Sequence, residues 1–178
     1  MAIIPMQDIS TMTTSLRPLS FDQLAQVELE DAFVRASVEI FEERITFNKV
    51  LGLRATLCTP LVSEAVLEMR PELIGHYGHN RIHGGVISAS LDTVAGLAVM
   101  NAIGARYAHE PVEQRLQHFS RLGTIDLRVD YLHPGIGTRF RMRAEVLRLG
   151  ARLASTRMEF LSEEGKVLSL GTASYIVS

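Results

Sequence analysis

At 178 residues, with 47% hydrophobic and 21% charged side chains, the chain has the length and apolar share of one globular domain with a sizeable core. A net charge of −2 offers no basic field for nucleic acid, and the lone Cys58 excludes a disulfide within the chain, which fits a reducing cytoplasm. Residues 1–15 lack a basic start and an unbroken apolar run, so no secretory leader is expected. Residues 1–19 read as a flexible tail ahead of a single domain over 20–178.

The first element opens at Ser20, which forms a capping-box pattern with Gln23. Phe21, Leu24, Val27, Ala32, Val34, Val38 and Phe41 approximate one helical stripe running to about Arg44. Asn48 to Gly52 then leads into extended structure. Leu51 to Thr59 and Ser63 to Arg70 are predicted strands, joined at Thr59-Pro60. In the second, Ala65, Leu67 and Met69 alternate with Glu64, Glu68 and Arg70. Pro71 to Ile82 is predicted to be a loop.

Gly84 to Ala105 is apolar on nearly every side and carries one charge, Asp92. About 20 residues at a rise of roughly 1.5 Å each would also suit a membrane span. Ser88, Ser90, Asp92, Thr93 and Asn101 argue against one, and no Lys/Arg cluster flanks it. The alternative is a helix buried on all sides by surrounding strands. An ionised acid in such a helix is expensive unless compensated, so catalysis or ligand binding is the leading reason for Asp92. His83-Gly84-Gly85 just upstream reads as a helix opening with free backbone N–H groups.

An insert from Arg106 to Leu122 follows, with Pro111 opening a short amphipathic helix whose face is Val112, Leu116 and Phe119. Thr124 to Leu132 alternates as a strand until His133-Pro134-Gly135 breaks it. Phe140, Met142, Ala144 and Val146 alternate with Arg139, Arg141, Arg143 and Glu145. Leu147 and Leu149 fall out of phase, which predicts a bulge near Glu145 to Leu147. Ala154 to Phe160 alternates again, Glu163 to Lys166 is a hairpin turn, and Val167 to Val177 is the last strand. The expected fold is α+β: two strands, one buried helix, then a meander of four long strands, forming a curved antiparallel sheet around the helix.

These residues resemble a known family. His83-Gly84-Gly85, six residues and then Asp92 is similar to the signature of hotdog-fold acyl-CoA thioesterases of the PaaI-like type. The strand Thr124 to Leu132 followed by Pro134-Gly135 looks like that family's strand after the central helix. The insert, with Arg115-Leu116, Ser120-Arg121 and Leu122 to Asp126, looks most like the YigI-like branch. The resemblance spans roughly Phe47 to the C-terminus. It implies hydrolysis of acyl-CoA, in particular of medium- to long-chain fatty acyl groups, with aryl-acetyl groups as another option.

By position, the family's acid that acts as general base or nucleophile is Asp92. Its carbonyl-polarising backbone N–H is that of Gly84, and its water-positioning hydroxyl is that of Thr124. Where the family often has Asn or Gln, this chain has Tyr77, with Asn80 and His76 nearby. His83 and Gly85 belong to the same helix opening, with His83 expected to hold the loop by packing or hydrogen bonding. Ala89, Ala95 and Gly96 would leave room for an acyl chain. Arg121, Arg128, Arg141 and Arg152 are candidates for the CoA phosphates, because the guanidinium fork matches phosphate oxygens. The chain has sixteen Arg against two Lys, a bias that anion contacts or a GC-rich genome would each produce.

His76, His79 and His83 have a metal-like spacing, but the segment contains Gly75 and Gly78 and shares no rigid element. No metal or other cofactor is expected. A helix N-terminus presents unpaired N–H groups and partial positive charge, which suits an oxyanion hole at Gly84. Gly84 and Asp92 are, however, about 12 Å apart along one helix. One thioester cannot meet both within about 3 Å. The donor and the acid must then come from two copies of the chain, so a homodimer, or a dimer of such dimers, is expected. The rival functions are a hotdog protein that binds or senses acyl-CoA without hydrolysis and a hotdog enoyl-CoA hydratase.

Overall fold

The computed structural model describes residues 17–178. The proposed tail over residues 1–19 lies almost entirely outside them. Five helices, α1 (Phe21–Leu24), α2 (Asp31–Glu39), α3 (Thr46–Leu51), α4 (Gly84–Arg106) and α5 (Val112–Phe119), surround or thread one main sheet. The strands are β1 (Arg54–Cys58), β2 (Val62–Glu68), β3 (Ile74–His76), β4 (Arg81–Ile82), β5 (Gly123–Tyr131), β6 (Arg139–Leu149), β7 (Leu153–Ser162) and β8 (Val167–Ile176). Six of them form an antiparallel sheet in the order β1-β2-β6-β7-β8-β5, while β3 and β4 make a small hairpin within the segment expected to be a loop.

The sheet wraps α4, as a helix apolar on nearly every side requires. Leu91, Val94, Ala95, Leu97, Ala98 and Val99 are buried on the helix, against Phe140, Met142, Ala144, Met158 and Phe160 of the strands. Each fully buried large apolar side chain contributes about 1.5–3 kcal/mol relative to exposure. By length and composition α4 could cross a membrane, but 67% of its most apolar stretch is buried inside the fold. The predicted bulge is present: pairing slips between Val146 and Arg148, which turns Leu147 outward while Leu149 stays buried.

Three sequence expectations are corrected. The first helix does not run unbroken from Phe21 to Arg44. It stops after Leu24, because Val27 and Leu29 both pack on the core from an extended segment, a period of two that a helix cannot present. The helix that resumes at Asp31 passes into a π-helical turn, Ile40–Arg44, closed by the Ile45 N–H to Ile40 carbonyl bond of 3.0 Å.

Second, Asn48 to Leu51 is helical rather than extended, and β1 starts only at Arg54. Gly52 ends α3 in the left-handed conformation, φ +74°, with its N–H on the Asn48 carbonyl at 2.8 Å. Third, the last four strands are not a simple meander. β6, β7 and β8 are, but β5 lies at the sheet edge beside β8. The linker from Leu132 to Thr138 crosses about three strand spacings, roughly 14 Å, which no tight turn could span.

The N-terminal helices cover one end of α4. Phe33 of α2 sits against Gly104, where a Cβ would lie 2.1 Å from the ring, so only glycine lets the two helices approach this closely. Arg115 of α5 stacks its guanidinium 4.8 Å from the centroid of the Phe33 ring and pairs with Glu30.

Candidate active site

Asp92 lies half-buried on α4 and borders a cavity of about 150 Å³. The cavity wall is mostly apolar: Phe41 and Ile45 from the π-turn region, Gly96, Leu97 and Met100 from α4, and Phe119 and Leu122 from α5 and its exit. Two hydroxyls converge on one oxygen of the carboxylate. Thr124 donates to Asp92 Oδ1 at 3.0 Å, and Tyr175 donates to the same oxygen at 2.9 Å. The Tyr175 hydroxyl is also 3.0 Å from the Asp92 backbone carbonyl, so its one proton is shared between two acceptors. Burial first, then the Asp92 charge, pushes the Tyr175 phenol far above its ordinary range and keeps it a donor.

The register of β5 brings Thr124 to this place. Leu127 and Val129 face inward, and strict alternation would put Ile125 inward and Thr124 outward. Pairing with β8 slips between Thr124 and Asp126, so one extra residue, Ile125, is extruded and left 54% exposed. Thr124 thereby becomes the inward-facing partner opposite Tyr175. A bulge beside a site, re-aiming one side chain, is a recurrent device. Tyr175 was not among the residues the sequence singled out; the signal for it was a phenol at an inward position near the end of a strand, which needs a buried partner.

The other end of the site is the start of α4. His83 is its N-cap, and His83 Nδ1 accepts the Gly85 N–H at 2.8 Å. The ring proton is therefore on Nε2 when the imidazole is neutral. Gly85 is thus engaged, while the Gly84 N–H has no acceptor among the described residues. Tyr131 donates to the Gly84 carbonyl at 3.0 Å. Gly84 borders a separate cavity of about 360 Å³ with Ile87, Leu132, His133 and Pro134. Within one chain, Gly84 and Asp92 open onto different cavities.

The remaining sequence candidates are dispersed. Gly96 lines the Asp92 cavity; Ala89 is half-buried on α4 but not on that wall. Asn80 is exposed, with φ +45°, in the loop where Tyr77 is 96% exposed and stacks on His76. Among the proposed phosphate arginines, Arg128 pairs with Asp130 at 3.1 Å and Arg141 with Glu64 at 3.5 Å. Arg121 and Arg152 are exposed and have no ion-pair partner among the described residues. Arg121 flanks a groove of about 740 Å³ with Tyr107 and His118, whose rings stack at 3.9 Å. Among the described residues, no three His, Cys, Asp or Glu side chains are arranged to hold a metal ion.

Comparison with known proteins gives this geometry a context. The thioesterase superfamily pattern matches residues 79–169, which include α4 and β5 to β7. Relatives named medium/long-chain acyl-CoA thioesterase YigI, from Salmonella typhimurium (strain LT2) and Escherichia coli (strain K12), are each 35% identical over 139 residues. The match covers 78% of this chain and 90% of each relative. A crystal structure of a Shewanella oneidensis protein related to the thioesterase superfamily superposes with a TM-score of 0.78 at 34% identity, covering 84% of this chain and 100% of that one. The E. coli PaaI protein from the phenylacetic acid degradation operon shares the fold, with a TM-score of 0.66 at 15% identity over 83% of this chain and 94% of that one.

Proposed function

This chain belongs to the thioesterase superfamily, with the hotdog fold, and we propose that it hydrolyses medium- to long-chain fatty acyl-CoA thioesters to the free acid and CoA. The observation that carries this reading is the Asp92 carboxylate, fixed by two hydroxyls at the mouth of an apolar cavity. The apolar wall of the cavity suits the start of an acyl chain, and the carboxylate suits the carbonyl carbon at its head. The relatives at 35% identity, named as medium/long-chain acyl-CoA thioesterases, support the substrate class.

In the proposed reaction Asp92 takes a proton from water. The resulting hydroxide adds to the thioester carbonyl, whose oxygen becomes an anion held by the Gly84 N–H. The C–S bond then breaks with its electron pair on sulfur, and the proton passes from Asp92 to the departing thiolate. Direct attack by the same carboxylate, followed by hydrolysis of the mixed anhydride, would use the same residues in the same places. Arg121 and Arg152, exposed and without an ion-pair partner among the described residues, are the guanidinium groups best suited to the CoA phosphates.

The oxyanion donor belongs to a second copy of the chain. Eight helical positions separate Gly84 from Asp92, about 12 Å, and each borders its own cavity. The exposed edge of β5, with Ile125, Tyr131 and Leu132 each at least half exposed, supports a two-fold partner along this side.

A released-thiol assay over a panel of saturated acyl-CoA esters tests the function. Wild type should release CoA, and Asp92→Asn should lose about 10²–10⁴-fold in kcat with its unfolding midpoint unchanged. Binding without thiol release at any chain length would make the protein an acyl-CoA binder instead, and hydration of an enoyl-CoA would make it a hydratase.

A further inference from the structure

We propose that Tyr175 is a positioning residue for the reaction: together with Thr124 it occupies Asp92 Oδ1 and leaves Oδ2 as the oxygen that meets water or substrate. This rests on the hydrolytic reading of Asp92. Tyr175 is 2% exposed, and its hydroxyl reaches both the Oδ1 atom and the backbone carbonyl of the same aspartate, at 2.9 and 3.0 Å. Bonding the side chain and main chain of one residue through one hydroxyl locks the carboxylate rotamer relative to the helix.

Thr124, the direct cross-strand partner of Tyr175, closes on the same oxygen from β5. Oδ2 has no hydrogen-bond partner among the described residues. Two donors on one oxygen draw negative charge to it and fix its direction, so the other oxygen keeps its lone pairs available.

Among the described residues, the two hydroxyls are the side-chain donors that reach this carboxylate. The π-turn presents Phe41 and Ile45, and α5 with its exit presents Phe119 and Leu122, none of them charged. From the sheet come Thr124 and Tyr175, with Asp126 on β5 close enough to act on the Tyr175 phenol. Removing the phenol proton donor therefore leaves Thr124 as the one hydroxyl on Oδ1 among the described residues, and frees the carboxylate from its tie to the helix backbone.

The test is Tyr175→Phe in the full chain, with lauroyl-CoA as the probe substrate and thermal unfolding to establish that the variant is folded. We expect kcat to fall about 10–100-fold, KM to stay within about two-fold, and the acid limb of the pH–rate profile to move to higher pH. Unchanged kcat and an unmoved acid limb in folded Tyr175→Phe would overturn the proposal.

If Tyr175→Phe fails to fold, a fluorotyrosine at position 175 keeps the shape and makes a stronger donor. The acid limb should then move to lower pH, and no movement would overturn the proposal. Carbon-13 NMR of labelled aspartate reads the same contact without turnover: the Asp92 carboxyl resonance should move in Tyr175→Phe, and an unmoved resonance counts against the contact. A wild type that hydrolyses none of the esters sinks the function itself. A moved Asp92 carboxyl resonance in that inert protein would still identify Tyr175 as a residue that holds the Asp92 carboxylate.

Discussion

Asp92, Thr124 and Tyr175 show how a buried charge is made tolerable: two hydroxyl donors and a partly open cavity replace the water that the carboxylate loses. The same burial has a consequence at alkaline pH. The folded-state ionisation of Tyr175 is raised above its unfolded value near 10. The unfolded chain then releases this proton first as pH rises, so the contribution of Tyr175 to stability is full below about pH 10 and is lost above it. Tyr175→Phe should therefore show a shallower loss of stability between about pH 10 and 11 than wild type, measured by denaturant unfolding across that range; identical slopes would contradict the assigned shift. Asp92 could be read from the sequence because it is the one charge within an apolar helix. Tyr175 could not, because its partner lies 83 positions away and only the β5–β8 register brings them together. Thr124 was assigned by resemblance; simple alternation would have turned it to solvent, and a one-residue bulge reverses that.

Among the elements, the π-helical turn shapes the cavity beside Asp92. It places Phe41 in the cavity wall, and two contacts from outside hold it there. Asn48 Nδ2 donates to the Phe41 carbonyl at 2.8 Å, and Glu42 accepts the Ala55 N–H at 2.9 Å, which ties the turn to β1. Phe41→Leu keeps an apolar wall and both backbone ties while enlarging the cavity. It should raise kcat/KM for the longest acyl chains relative to the shortest by about ten-fold, read on the same ester panel; an unchanged chain-length profile would show that the acyl group lies elsewhere. The long elements were legible for two reasons: α4 is apolar on nearly every side, and β2, β6 and β7 bury the stripes their alternation marks. The N-terminal segment was less so. Val27 fits the helical stripe begun by Phe21 and Leu24, whereas Leu29 packs on the core only from an extended segment, and tertiary contact decides between the two. Gly52 was the available sign that α3 ends there, since glycine just past a helix takes the left-handed cap.

For the whole molecule, the central claim is that one chain carries two halves of two different sites. The Gly84 N–H and the Asp92 carboxylate sit on one helix too far apart to meet one thioester, and they open onto separate cavities. Sequence and helix geometry were enough to pose this; the exposed β5 edge adds a surface on which a second copy could pair. The decisive variants are mild. Asp92→Asn preserves shape, and Gly84→Pro removes the N–H at a first helical position, where proline is tolerated, the preceding His83 is already extended and the added Cβ meets Tyr131 at an ordinary 3.4 Å. Each variant alone should be nearly inactive. Mixed, dissociated and reassembled in equal amounts, they should recover about a quarter of wild-type activity, because half of randomly assorted dimers are mixed and each mixed dimer holds one intact site of two. Thiol release no greater than the average of the two parents, in a sample where mixed dimers are demonstrated by mass, would contradict the shared site.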